Sequence, residues 1–237
     1  ILDWMQKNNE KISHCLVGEP TCPDYLGEMV KIGRRGSITV RFCVKGLQGH
    51  TAYPQLAINP LNALVQLMHS LSEESLDIGS EHFDASTLVI TSIDTGNSAT
   101  NVIPEMAKAV VNIRFNDNHT SESIKKWLER TSKDFAEKTG TEITVDTHTS
   151  GESFLTPPGQ LSDIICNSIQ QELGVKPSLS TTGGTSDARF IKNICPVVEF
   201  GLVGKTMHAI DERVEISQIR NLKKVYTRIL ENYFAEI

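Results

Sequence analysis

Between residues 37 and 45 the chain alternates, with Ile38, Val40, Phe42 and Val44 on one side of an extended segment and polar or small residues between them. That period of two predicts a half-buried strand. Asn59-Pro60 then opens a segment in which Leu61, Leu64, Val65 and Met68 recur at helical spacing, so an amphipathic helix is predicted over 60–71. Two more strands are predicted at 88–93 and 107–115, an amphipathic helix at 121–138 and a closing strand at 142–147. The order strand, helix, strand, strand, helix, strand is that of a ferredoxin-like sandwich.

The flanking segments have a different character. Residues 14–17 form a short apolar run closed by the turn Gly18-Glu19-Pro20-Thr21. After residue 150 come a helix at 161–173, a strand near 178, and the turn Thr182-Gly183-Gly184-Thr185-Ser186-Asp187. A short helix, an apolar strand at 196–200 and a final helix at 216–233 follow. Continuous apolar strands suit a sheet covered on both faces. The expected fold class is therefore α/β, one α/β domain (1–35 and 150–237) interrupted by a ferredoxin-like α+β domain (36–149). Residues 1–8 read as the end of a helix without an initiator Met, and the expectation is that the chain is the C-terminal part of a longer protein.

Composition narrows the function. Among 237 residues, 39% are hydrophobic and 22% charged, and the formal net charge is −6. An acidic chain is a poor nucleic-acid partner, and an anionic substrate would have to be met by individual arginines. No apolar run reaches the roughly 18 residues of a membrane span. Five cysteines, an odd number with no Cys-x-x-Cys, fit reduced thiols in a cytoplasmic protein. The phosphate-loop, His-Glu-x-x-His and Gly-x-Ser-x-Gly patterns do not occur.

Four spots in turns after apolar strands could carry chemistry. Glu19 is either a hard metal ligand or a solvated or capping carboxylate. His208, with Asp211 and Glu212 nearby, is either a metal ligand with acceptors to fix its tautomer or an ordinary hydrogen-bonded histidine. His50, in a glycine-rich turn, could donate to a developing oxyanion or be inert. The 182–189 turn could cradle an anion at a helix N-terminus, with Arg189 adding a carboxylate contact, or be a plain N-cap by Ser186 or Asp187. Asp146 and His148 share one strand face, but no third ligand lies near them in sequence.

Together and in this order, Gly18-Glu19-Pro20-Thr21, Gly33-Arg34-Arg35-Gly36-Ser37, Gly46-Leu47-Gln48-Gly49-His50, Ala52-Tyr53-Pro54, Thr100-Asn101-Val102-Ile103-Pro104 and Gly183-Gly184-Thr185-Ser186-Asp187-Ala188-Arg189-Phe190 resemble the dinuclear-zinc amidohydrolases that include acetylornithine deacetylase and aminoacylase. The resemblance covers essentially the whole chain. It implies a catalytic α/β domain, an inserted domain that makes a homodimer, and two zinc ions, with cobalt as a possible substitute. Glu19 and His208 would each bind a metal. His50 would reach the partner subunit's site and steady the oxyanion. Arg34, Ser37, Tyr53, Asn101, Arg114, Gly184, Thr185 and Arg189 would meet an anionic small-molecule substrate.

Two departures from the family pattern stand out. Gly204 occupies the place of an Asn four residues before the metal-binding His. The family's remaining metal ligands and its Glu base lie before the Gly-Glu-Pro-Thr turn, whereas the 18 residues before Glu19 hold no Glu-Glu pair and no His-x-Asp. These residues alone are therefore expected to hold no stable metal pair and to be inactive. The competing readings are a deacetylase or aminoacylase relative, or a non-catalytic dimerising module.

Overall fold

The computed structural model describes residues 1–184 and 186–235. In chain order its elements are α1 (Leu2–Lys7), β1 (Cys15–Val17), β2 (Met29–Lys31), β3 (Gly33–Arg34), β4 (Gly36–Lys45), β5 (Gly49–His50), α2 (Pro60–Glu73), β6 (Thr87–Asp94), β7 (Val102–Ile103), β8 (Met106–Phe115), α3 (Ser121–Thr139), β9 (Glu142–Gly151), β10 (Phe154–Leu155), α4 (Gln160–Leu173), β11 (Ser178–Ser180), α5 (Ala188–Ile191), β12 (Val197–Glu199) and α6 (Ile216–Ala235). They divide into two compact units, Gly36–Ser153 and the flanking segments Ile1–Arg35 with Phe154–Ile237.

The first unit is an antiparallel sheet in the order β6-β8-β4-β9, the strand order of a ferredoxin-like sandwich. The alternation read from the sequence is realised directly. Ile38, Val40, Phe42 and Val44 of β4 and Ala107, Ala109, Val111, Ile113 and Phe115 of β8 face Leu64, Leu67 and Met68 of α2 and Ile124 and Leu128 of α3. Asn59 caps α2 by accepting from the Leu61 N–H at 3.0 Å, and Thr120 and Ser123 cap α3 reciprocally. Strand β9 runs on to Gly151 because it pairs with β4 from Lys45 back to Ser37, with a register shift between Ile38 and Ser37. The compact unit accordingly extends to Ser153 instead of stopping at 149.

In the second unit a four-stranded sheet has the order β1-β12-β2-β11. The pairs β1–β12 and β2–β11 are parallel, while β12 meets β2 through one antiparallel pair, Glu199 with Lys31. Helices α4 and α6 cover it, joining Ile164, Ile165, Ile169, Val225 and Ile229 to Val30, Ile32, Val198 and Phe200 in one core. Strand β2 was not evident from the sequence, since Lys31 interrupts its apolar run.

Candidate active site

Residues beyond the ends of β1 and β12 stay side by side. Phe200 N–H donates to the Val17 carbonyl at 3.0 Å, Cys22 N–H to Leu202 at 3.3 Å and Gly204 N–H to Cys22 at 2.9 Å. The Thr21 hydroxyl donates to the Met29 carbonyl at 2.9 Å and accepts from Gly201 N–H at 3.2 Å. A side chain at Gly201 would place its Cβ 2.4 Å from the Glu19 carbonyl oxygen, so only glycine allows this approach. The Glu19 turn and the segment leading to His208 are thereby held against one another. Both residues line a cleft of about 490 Å³ with Lys31, Arg34, Thr182, Gly183, Gly184, Ser186 and Gly204. His208 has φ 63°, an uncommon backbone state for a non-glycine residue.

The donor chemistry of Glu19 and His208 suits zinc, which takes carboxylate oxygen and imidazole nitrogen. Two such ligands are half of what a zinc site needs. Among the described residues no group of three or more His, Cys, Asp or Glu side chains is placed to hold a metal ion. Cys22 lines the same cleft but is turned into the backbone, its sulfur accepting from Gly27 N–H at 3.3 Å. A larger cleft of about 650 Å³ between residues 154–161 and 192–196 has no carboxylate in its wall and none of the residues singled out from the sequence.

Arg34 is 7% exposed and Glu199 1%. Arg34 Nε donates to Glu199 Oε2 at 3.0 Å, NH2 donates to the same oxygen, and NH1 donates to the Thr182 carbonyl at 3.0 Å. Ser186 Oγ donates to Glu199 Oε1. The turn at 182–187 is thus organised around a buried ion pair. Its helix α5 is a single turn, Ala188–Ile191, with no side-chain cap from Asp187. Of the two readings that the sequence left open, an N-cap by Asp187 is thus not made, and a single turn adds little helix dipole toward an anion. Arg189 is not part of the cleft wall, and its guanidinium lies over the Phe190 ring at 4.5 Å. Thr185 falls outside the described residues.

The remaining candidates belong to the ferredoxin-like unit and separate into two groups. Ser37, nearly buried, is paired in register with Arg114, whose Nε donates to Asn112 Oδ1 at 3.0 Å. His50 pairs with Val102, and Asn101 accepts from Thr51 N–H at 3.1 Å, so His50 and Asn101 are neighbours. Tyr53 stands edge-on to His50 at 6.0 Å. Ala52 N–H donates to His50 Nδ1 at 3.0 Å. The neutral ring therefore carries its proton on Nε2, where it can donate outward. Ser37 and Arg114 stand near one end of the β4–β8 ladder, while His50 and Asn101 follow its other end, Lys45 with Met106, about 27 Å along the strand from Ser37 for eight residues. Asp146 and His148 lie on the open face of the sheet, with Asp146 ion-paired loosely to Arg41 at 3.9 Å.

Glu199 is the member of the site that the sequence did not signal as functional. The available sign was a carboxylate at the end of the apolar run Pro196-Val197-Val198-Glu199, a place where a charge needs a partner.

Comparison with known proteins gives a coherent picture. Residues 32–140 match the family described as the peptidase dimerisation domain. The chain is 59% identical over 235 residues to a succinyl-diaminopimelate desuccinylase of Cereibacter sphaeroides, 57% to that of Ruegeria pomeroyi and 52% to that of Paracoccus denitrificans. Each match covers 99% of this chain and 62% of the relative, so the chain spans less than two thirds of their length. Among solved structures, an aminopeptidase (PepT) of Bacillus cereus superposes with TM-score 0.77 at 16% identity, covering 92% of this chain and 56% of that one. An M20 family metallo-carboxypeptidase of Sulfolobus solfataricus gives TM-score 0.73 at 16% identity, covering 98% and 66%. At such identity these two establish the fold alone.

Proposed function

We propose that the chain belongs to the family of the succinyl-diaminopimelate desuccinylases and is the C-terminal portion of a zinc-dependent amide hydrolase converting N-succinyl-L,L-diaminopimelate and water to succinate and L,L-diaminopimelate. In this reading it serves diaminopimelate and lysine biosynthesis in the cytoplasm, as a homodimer. Among the described residues no helix is long and apolar enough to cross a membrane, and all five cysteines are free thiols. The observation that carries the reading is 59% identity along 99% of the chain, together with a cleft in which Glu19, His208 and Arg34 converge.

Glu19 and His208 would hold one metal each. Bound zinc, or cobalt in its place, would supply a Lewis acid and an activated water. The remaining ligands and the general base come from residues other than these 237, which by themselves are inactive. Arg34, Arg114 and Arg189, with Ser37, Tyr53, Asn101, Gly184 and Thr185, would meet the substrate's carboxylates and polar groups. Arg34 keeps N–H bonds beyond those given to Glu199 and Thr182, since a guanidinium has five.

His50 would steady the oxyanion through its Nε2 proton. Because His50 and Asn101 follow the far end of a ladder that runs about 27 Å from Ser37 and Arg114, both groups would serve one site through two copies. The dimerisation-domain match supports that arrangement.

The deciding assay uses the full-length, zinc-loaded protein with N-succinyl- and N-acetyl-L,L-diaminopimelate in parallel. Preference for the succinyl compound, abolished together with zinc binding by Glu19→Gln or His208→Ala, is the expected result. Preference for the acetyl compound would move the assignment to a related deacetylase or aminoacylase. Absence of turnover with dimerisation intact would favour a non-catalytic dimerising module, the alternative that the two-ligand metal site supports.

A further inference from the structure

The buried carboxylate of Glu199 has no place in the reaction as described, and its surroundings are unusual for a structural ion pair. It ends β12 at 1% exposure. Its Oε2 takes two donors from one edge of Arg34, and its Oε1 takes the Ser186 hydroxyl from the turn that follows the two glycines. The third nitrogen of Arg34 reaches the Thr182 carbonyl at the start of the same turn. In register beside Glu199 lies Lys31, whose Nζ donates to Ser180 Oγ at 3.0 Å and Thr182 Oγ1 at 2.6 Å. One carboxylate thereby fixes the rotation of the guanidinium and the position of the turn's two ends. A long arginine side chain has several rotamers, and an unbraced one would lose much of its binding capacity to ordering.

We infer that Glu199 is a positioning residue for substrate recognition: it clamps the inner edge of Arg34 so that the outer N–H bonds face the cleft, and it ties the 182–186 turn to the same carboxylate. It touches no substrate and acts through Arg34. The inference rests on the function proposed above for its kinetic consequence, and on geometry alone for the clamp.

The test uses the full-length, zinc-loaded protein carrying Glu199→Gln, a change that keeps size and removes charge. Two readouts are taken. The first is the nitrogen-15 resonance of Arg34 Nε–H, assigned by its loss in Arg34→Met. It should exchange slowly with water in the unaltered protein and rapidly in Glu199→Gln. The second is steady-state kinetics with the succinyl substrate. KM should rise on the order of tenfold, the scale of losing one charge-assisted contact, with kcat changed far less.

In an Arg34→Met background, Glu199→Gln should add nothing further to KM. Should Glu199→Gln alone not fold, the neutral pair Glu199→Gln with Arg34→Met removes both buried charges together and should fold with the KM of Arg34→Met. A slowly exchanging Nε–H in Glu199→Gln, or an equal rise in KM with and without Arg34, would overturn the inference. An unaltered protein that ignores the succinyl substrate would instead defeat the proposed function, and the Nε–H signal would still decide whether the clamp exists.

Discussion

Gly183 shows how closely single residues are fitted at this cleft. Its φ is +99°, and a Cβ there would stand 2.5 Å from Arg34 NH1. Gly183→Ala should therefore cost about 1 kcal/mol or more from the backbone alone, read as a lower urea midpoint, and should raise KM by displacing the guanidinium. Gly204 is the opposite case. A Cβ there would meet Pro20 Cβ at an ordinary 3.6 Å, so a β-carbon is accommodated where the resembling family has asparagine. Gly204→Asn should leave the urea midpoint unchanged and lower KM severalfold by adding a donor.

At this scale the sequence singled out Glu19, a polar residue among glycine and proline, and the structure places it on the cleft wall. It was opaque at Glu199, where the informative fact is a partner 165 positions away. It was also incomplete for Arg34, whose charge proves to be already engaged inside the protein.

The elements were recovered wherever the period was long enough to speak. Strands β4 and β8 and helices α2 and α3 each carry a full face of apolar residues. The two- and three-residue strands β2, β3, β5, β7 and β10 carry no readable period, and they exist because neighbouring backbone needs pairing.

The connection from α2 to β6 was likewise silent in the sequence, and it is held by one carboxylate. Asp77 Oδ1 accepts from Gly79 N–H at 2.7 Å and Asn116 Nδ2 at 2.6 Å, with Ser86 N–H at 3.2 Å, and Oδ2 lies 3.1 Å from His119 Nε2. Burial alone would raise its pKa, but the hydrogen bonds from Ser86, Gly79 and Asn116 outweigh burial and hold it down to about 2. A depressed carboxyl stabilises the folded state fully above its unfolded value near 3.8 and loses that contribution as pH falls toward 2. Urea unfolding of the protein between pH 5 and pH 2 should show this loss, and Asp77→Asn should flatten the profile over that window.

For the whole molecule, the decisive relation is between the two groups of candidate residues in the ferredoxin-like unit. If His50 acts in trans, two individually inactive full-length variants should rescue each other. Equal mixing of Glu19→Ala and His50→Ala subunits, with exchange, should restore about one quarter of normal activity. Half the dimers are then mixed, and each has one complete site. Activity that stays at zero despite proven exchange would place His50 in its own subunit's chemistry. The interrupted-domain organisation was visible in the sequence because alternating and continuous apolar strands differ in character. The separation of the candidates toward the ladder's two ends was not, since residues 37, 50, 101 and 114 become near or distant only once β4 and β8 are paired in register.

Seen this way, β4 is also a ruler. Its ten residues set how far along the sheet the His50 turn stands from Ser37. A one-residue insertion would turn every side chain beyond it to the wrong face of the sheet. A matched two-residue insertion in β4 and its neighbours would keep the faces correct and still move the His50 turn about 7 Å further from Ser37, more than twice the length of a hydrogen bond. Tolerance to changes in length should therefore lie in surface connections such as 74–86, and the span of the central strands should be among the least negotiable dimensions of the protein.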